Sequence, residues 1–256
     1  MPKHIISAVR LGSILLSGMV LLSLTVPSRA DMAIYGLYDL RHMTDPTDNS
    51  SNFPVIEMKG FFPESFGSFL FKEEIDLDGA KGSQSEVYSE LDQTLKLGGA
   101  KVWGTPLSLH LGYSGGLGVF GNAAGGYYIR SSYSAGPEYG FRIGGAYCDA
   151  YAALRYTYNG GPRFDPMLSF WVGNYLLGYR LLIANSLEAW TTSYGPGSNS
   201  GAAGSRRVAS WELESEVWYK VAQDLSVGTY IRTTRNVYAL SGRWVIYPSL
   251  GIRYSF

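Results

Sequence analysis

The residues of this chain that could do chemistry recur at every second position. Glu57 and Lys59 are two apart, as are Lys72, Glu74 and Asp76, then Glu90 and Asp92, and later Glu212, Glu214 and Glu216. Asp39 and Arg41 repeat the spacing, and Arg130, Asp149, Arg155, Glu188, Arg232 and Arg253 occupy comparable places in similar stretches. Carboxylates only accept hydrogen bonds and Lys and Arg only donate them, so mixed rows of this kind can hold a polar solute or neutralise one another. His110 adds a group that titrates near neutrality. These residues do not make a catalytic arrangement. His110 and Ser114 share a face, but at ~3.3 Å per residue along a strand they stand roughly 13 Å apart, beyond hydrogen-bond reach. There is no His-x-Ser and no metal-ligand spacing, and no cofactor is expected. The single Cys, Cys148, excludes an intrachain disulfide.

A spacing of two is the period of a β-strand, in which successive side chains take opposite faces. The clearest strand is the last. Trp244, Ile246, Pro248, Leu250, Ile252, Tyr254 and Phe256 make one face, and Val245, Tyr247, Ser249, Gly251, Arg253 and Ser255 make the other. An apolar stripe kept to the final residue suits a lipid-facing strand that closes a barrel, since termini of soluble domains fray. The terminal Phe256 with Tyr254 before it resembles the assembly signal of bacterial outer-membrane barrels, which implies the barrel-assembly machinery as a partner.

The same alternation predicts eleven earlier strands: 33–41, 53–62, 68–78, 86–97, 107–114, 127–139, 146–158, 165–177, 179–192, 207–220 and 224–234. Strands eight and nine alternate least cleanly, and Asn185 falls on the apolar face. Glu73 also falls on an apolar face, which predicts a bulge or an interior exception there. Pro248 lacks a ladder N–H, which predicts a local bulge. Thr44–Ser51 and the Gly-rich run Gly115–Gly126 read as loops, and Ser193–Arg206 is the longest loop. Long loops follow the odd strands and short turns follow the even ones, as in outer-membrane barrels with short periplasmic turns. The expected fold is all-β: a transmembrane antiparallel up-and-down barrel of twelve strands, one domain over residues 31–256.

Composition agrees. Residues 1–30 carry Lys3, Arg10, a mostly apolar Leu11–Val26 and Ser28-Arg29-Ala30, which predicts a cleaved export signal. Removing Lys3, Arg10 and Arg29 leaves 18 basic residues (21 − 3) against 21 acidic, a mature net charge of −3, unlike a nucleic-acid binder. The mature part has no apolar run near the ~18 residues of a membrane helix. The 20 Tyr, 6 Trp and 32 Gly suit aromatic girdles and tight turns.

If the apolar faces meet lipid, the charged set lines a lumen. Its acidic excess would disfavour small anions and admit neutral or cationic solutes. Tyr88, Tyr128, Tyr151, Tyr230 and Tyr247 share those faces and suit a planar polar solute. The expected function is passive diffusion of small polar solutes across the outer membrane of a Gram-negative bacterium, among its lipids and lipopolysaccharide. The alternatives are a lipid-modifying barrel enzyme, which rests on His110 alone, and a closed structural or adhesive barrel.

An ordered set of short stretches resembles the Tsx-like nucleoside-specific channel superfamily, and within it an uncharacterised family of outer-membrane channels. The stretches are Gly36-Leu37-Tyr38-Asp39, Val55-Ile56-Glu57-Met58, Gly67-Ser68-Phe69-Leu70-Phe71 and Glu74-Ile75-Asp76. Then come Pro106–Leu111 with Ser114-Gly115-Gly116, Gly136-Pro137-Glu138-Tyr139 and Tyr247-Pro248-Ser249-Leu250-Gly251. The resemblance implies a monomeric twelve-stranded barrel with a narrow lumen that passes nucleosides. It places Asp39, Glu57, Glu74, Asp76 and His110 in that lumen. The Gly-rich loops after strands five and nine depart from the family pattern.

Overall fold

The computed structural model describes residues 31–46, 51–77, 84–102, 104–120, 126–157, 163–194, 206–237 and 242–256. The expected export signal and the longest loop lie wholly or mostly outside them. Twelve strands, each antiparallel to its sequence neighbours, close into a barrel. They are β1 (Asp31–Asp39), β2 (Phe53–Glu64), β3 (Gly67–Asp76), β4 (Gln84–Val102), β5 (Thr105–Phe120) and β6 (Gly126–Ile143). The rest are β7 (Ala146–Thr157), β8 (Arg163–Leu176), β9 (Leu181–Tyr194), β10 (Arg206–Lys220), β11 (Leu225–Arg235) and β12 (Trp244–Ser255). A single helical turn, α1 (Arg41–Thr44), follows β1. Closure is made by β1 on β12, in register from Ala33 opposite Ser255 to Asp39 opposite Ser249. The chain ends are tied as well, with the Phe256 N–H donating to the Met32 carbonyl at 2.9 Å.

Short turns join β2 to β3, β4 to β5, β6 to β7, β8 to β9 and β10 to β11, at the end of the barrel that also holds Asp31 and Phe256. Two of them require glycine. Gly104 has φ +83° and Gly144 has φ +58°, in the left-handed region. The β8–β9 turn is longer, over residues 177–180, and Leu177, Gly178 and Tyr179 are all at positive φ. That explains the weak alternation there, since the turn residues carry side chains typical of strands.

Outward positions follow the apolar stripes. Leu250 is 59% exposed, and Ile34, Ile56, Leu213 and Ile252 are exposed beside it or on neighbouring strands. Phe62 stacks on Phe71 at 6.0 Å, and Tyr254 meets Phe256 edge-on at 5.2 Å.

Three expectations are corrected. Gly115–Phe120 is strand, because β4 extends far enough to pair residues 84–89 with 115–120. Glycine weakens a strand signal, but a partner ladder overrides it. Glu73 causes no bulge: it sits in continuous register between Met58 and Ser89, on the outward face, where the Ser89 hydroxyl donates to it at 2.8 Å. Pro248 causes none either. Its carbonyl accepts from the Leu40 N–H at 2.8 Å, so its backbone edge faces β1 where β1 ends and the missing donor costs no ladder bond. A bulge does occur in β6, where the register with β5 shifts between Ser114–Ser132 and Gly116–Ile129. Residues 130 and 131 of β6 oppose residue 115 alone in β5, so the register before the bulge is out of phase with that of 132–142. The expected inward place of Tyr128 concerns a side chain outside the described residues.

The outward stripe generates a test. Leu250→Arg, near the middle of β12, should destabilise the barrel in lipid vesicles by ~2–4 kcal/mol. Unfolding by denaturant in vesicles measures this, and Ser249→Thr on the inward face of the same strand should cost less.

Candidate functional site: the charged interior

Alternation places the charged rows inside, and direct cross-strand opposition does not by itself neutralise those of β2 and β3. The tight β2–β3 turn sets Glu57 directly opposite Glu74 and Lys59 directly opposite Lys72. Like charges in such positions repel. Glu57 is met by Lys59 and Lys72 themselves, and the other counter-charges come from the far end of the sequence, on β10 and β11. Lys59 Nζ donates to Glu216 at 2.6 Å and lies 3.1 Å from Glu57. Lys72 Nζ donates to Glu214 at 2.8 Å and lies 3.7 Å from Glu57. Arg232 grips Glu74 with two bonds of 3.2 and 2.6 Å and also reaches Glu214 at 3.3 Å and Glu212 at 3.4 Å. Tyr230 sits among the three cations, with Lys59 at 5.1 Å, Arg232 at 5.7 Å and Lys72 at 5.9 Å from its ring centre. Glu57, at the centre, is 0% exposed.

This brace runs across the interior from β2 and β3 to β10 and β11. An apolar cluster of Ala33, Tyr35, Leu37, Phe53, Val55, Trp218 and Tyr230 adjoins it. Tyr35 meets Trp218 edge-on at 5.3 Å, and the Trp218 indole donates to Glu216 at 2.8 Å. The sequence reading assigned charge to the interior and missed this packing, although parity places Tyr35, Leu37 and Trp218 there. Arg253, also inward, lies over Tyr35 at 5.7 Å and 3.9 Å from Asp31.

At the loop end, Arg41 leaves the expected strand and opens α1. Its side chain lies between Phe53 and Tyr247, 4.5 and 4.8 Å from their centroids. It donates to Asp39 at 2.8 Å and stands 3.8 Å from Asp76. The turn is pinned to β12 by the Thr44 hydroxyl, which donates to the Ile246 carbonyl at 2.7 Å. A small pocket below it is bounded by Asp39, Glu74, Arg232 and Tyr247.

The wall from β4 to β9 is different. Gly112 has no side chain, and a Cβ there would collide with Asp92, His110 and Ser134, which converge in front of it. His110, 3% exposed, has Nε2 3.0 Å from the Ser134 hydroxyl and 3.6 Å from Asp92. Its Nδ1 is 3.6 Å from Glu138, which accepts from Thr94 at 2.8 and 3.0 Å. The ring stacks on Tyr151 at 3.8 Å, and the Tyr151 hydroxyl donates to Glu188 at 3.1 Å. Ser134, from the adjacent strand, is the hydroxyl that sequence spacing could not reveal. The glycine–serine stretch Gly112–Gly116 runs through the middle of β5. It forms no strand–turn–helix elbow, and its backbone pairs with β4 and β6. His110 faces the barrel interior.

Of the expected interior residues, Asp39, Glu57, Lys59, Glu74, Asp76, Glu212, Glu214, Glu216, Arg232 and Arg253 lie on the braced side. Glu90, Asp92, His110, Asp149, Arg155 and Glu188 lie on the other. Arg130 falls in the β6 bulge, and its side chain lies outside the described residues. Tyr254 and Phe256 are outward on the closing strand, as expected.

No family model matches the chain, and no curated protein matches it, so the Tsx-like resemblance gains no support from either. Solved structures do match. A NanC porin structure aligns at TM-score 0.50 and 8% identity over 88% of this chain and 100% of that one. The likeness is one of fold. A KdgM porin in complex with disordered oligogalacturonate (TM-score 0.47, 11% identity, 88% and 99% covered) and LpxR from Salmonella typhimurium (0.46, 10%, 88% and 100%) align more loosely.

The brace generates a second test. Arg232→Met should destabilise the barrel by about 3–5 kcal/mol, because it leaves Glu74, Glu212 and Glu214 facing each other without their shared cation. Pairing it with Glu74→Gln should recover part of the loss, read as a coupling energy in a double-mutant cycle of urea unfolding in vesicles.

Proposed function

We propose that this protein is an outer-membrane channel for passive diffusion of small polar solutes, with nucleosides as the favoured class. The observation that carries the reading is a twelve-stranded barrel with an apolar outside and an inside lined from β4 to β9 by hydrogen-bonding and charged groups. The carboxylates of that wall take hydrogen bonds from Thr94 and Tyr151 and approach His110, and among the described residues no Lys or Arg salt bridge reaches them. Tyr151 and His110 present stacked ring faces beside carboxylate acceptors, the combination a planar base with a sugar hydroxyl would use. The Tsx-like motifs, among them those holding Asp39, Glu57, Glu74, Asp76 and His110, favour nucleosides over other planar solutes. The barrel would act as a monomer among outer-membrane lipids and lipopolysaccharide. Residues 1–30 would export it, and the terminal strand with Tyr254 and Phe256 would engage the assembly machinery.

A closed structural barrel is the second reading, favoured by the brace and by fully enclosed Glu57. The purified protein in planar bilayers separates the two. A channel gives small unitary steps that added nucleosides reduce in a concentration-dependent way. Steps that nucleosides leave unchanged would remove the nucleoside assignment, and a silent bilayer with correctly folded protein would favour the closed barrel.

A further inference from the structure

Neutralisation of the interior is one-sided. On the braced side each of Glu57, Glu74, Glu214 and Glu216 lies within 3.7 Å of a Lys or Arg nitrogen. On the wall from β4 to β9, among the described residues, no Lys or Arg salt bridge reaches Glu90, Asp92, Glu138, Asp149 or Glu188; only His110 approaches two of them, at 3.6 Å. Among the described residues, three cations of that wall have other contacts or lie at its end. Arg155 lies over Trp190 at 5.0 Å and donates to Ser132, Lys96 donates to the Ser65 carbonyl in the β2–β3 turn, and Arg142 is exposed beside the β6–β7 turn. Glu188 moreover stands directly opposite Glu212, the same like-charge opposition that the brace resolves for Glu57 and Glu74. Here Arg232 reaches Glu212 alone, at 3.4 Å, and Asp92 keeps 22% of its side chain open to the interior.

Space points the same way. The β2, β3, β10 and β11 side is filled by cross-interior ion pairs and by the packed Tyr35, Trp218 and Tyr230. On the other wall Glu90, Asp92, Asp149 and Glu188 are only half-buried, which leaves them within reach of a solute inside the barrel.

We propose that permeation runs off-centre along the β4–β9 wall, and that Glu90, Asp92, Glu138, Asp149 and Glu188 make this route select cations and cationic solutes over anions. The proposal rests on the channel reading and assigns its path and charge preference. Fixed carboxylates in a narrow passage raise the local cation concentration and exclude anions, and a passing cation adds to the positive charge near Glu188, which no Lys or Arg salt bridge reaches among the described residues.

Reversal potentials across a potassium chloride gradient test it. Wild type should be cation-selective. Glu188→Gln with Asp149→Asn should lower the cation-over-anion permeability ratio several-fold while channels still open, whereas Ser249→Ala on the braced side should leave it unchanged. Position is read independently in a Cys148→Ala background. A positively charged methanethiosulfonate should reduce current through Ser134→Cys and leave current through Ser249→Cys unaltered. No conductance from folded wild type would sink the channel reading itself. Conductance without cation preference, a ratio unmoved by the carboxylate changes, or block at Ser249→Cys but not Ser134→Cys would overturn the route and leave the channel standing.

Discussion

The structure depends on how it resolves one electrostatic conflict. The β2–β3 hairpin opposes Glu57 to Glu74 and Lys59 to Lys72, an arrangement that repels itself when the hairpin stands alone. Only when β10 and β11 arrive from about 150 residues away do Glu214, Glu216 and Arg232 supply the missing partners. A hairpin that is unfavourable locally and satisfied globally is held by closure, and closure is the pairing of β1 with β12 between the two sets of strands. The brace and the seam therefore support each other. A closed barrel also leaves no sheet edge, so every strand has a partner on both sides where no water can substitute.

Once the outside is committed to apolar side chains, every charge on a strand must turn inward or be individually tolerated. Glu73 is the exception that tests the rule: it stays outward and takes a hydroxyl from Ser89 instead of forcing a bulge. Inside, one side is compensated by fixed partners and sealed with aromatic packing. The other keeps its carboxylates available around His110 and Tyr151. The division follows from where the cations lie in the sequence. Lys59, Lys72 and Arg232 sit on strands that share one side of the barrel, while β4 to β9 contribute few inward cations. The bracing residues and those of the proposed route are thus separate sets, so one can be changed without the other.

Much of this was legible in the sequence. Period-two alternation is a local property of each strand, so strand number, inward and outward faces and the closing strand could be read from residues such as those of Trp244–Phe256. The parity of Glu57, Glu74, Glu188 and Glu212–Glu216 placed them inside for the same reason. Parity is also where that reading stopped. It cannot count an extra residue, so it missed the β6 bulge, and it cannot foresee that a neighbouring ladder carries Gly115–Phe120 as strand. It says which face a side chain takes and nothing about which distant side chain it meets. That Lys59 pairs with Glu216, that Ser134 stands at His110, and that Tyr35 packs on Trp218 were decided by register and barrel closure. These fix contacts between residues that no local spacing relates.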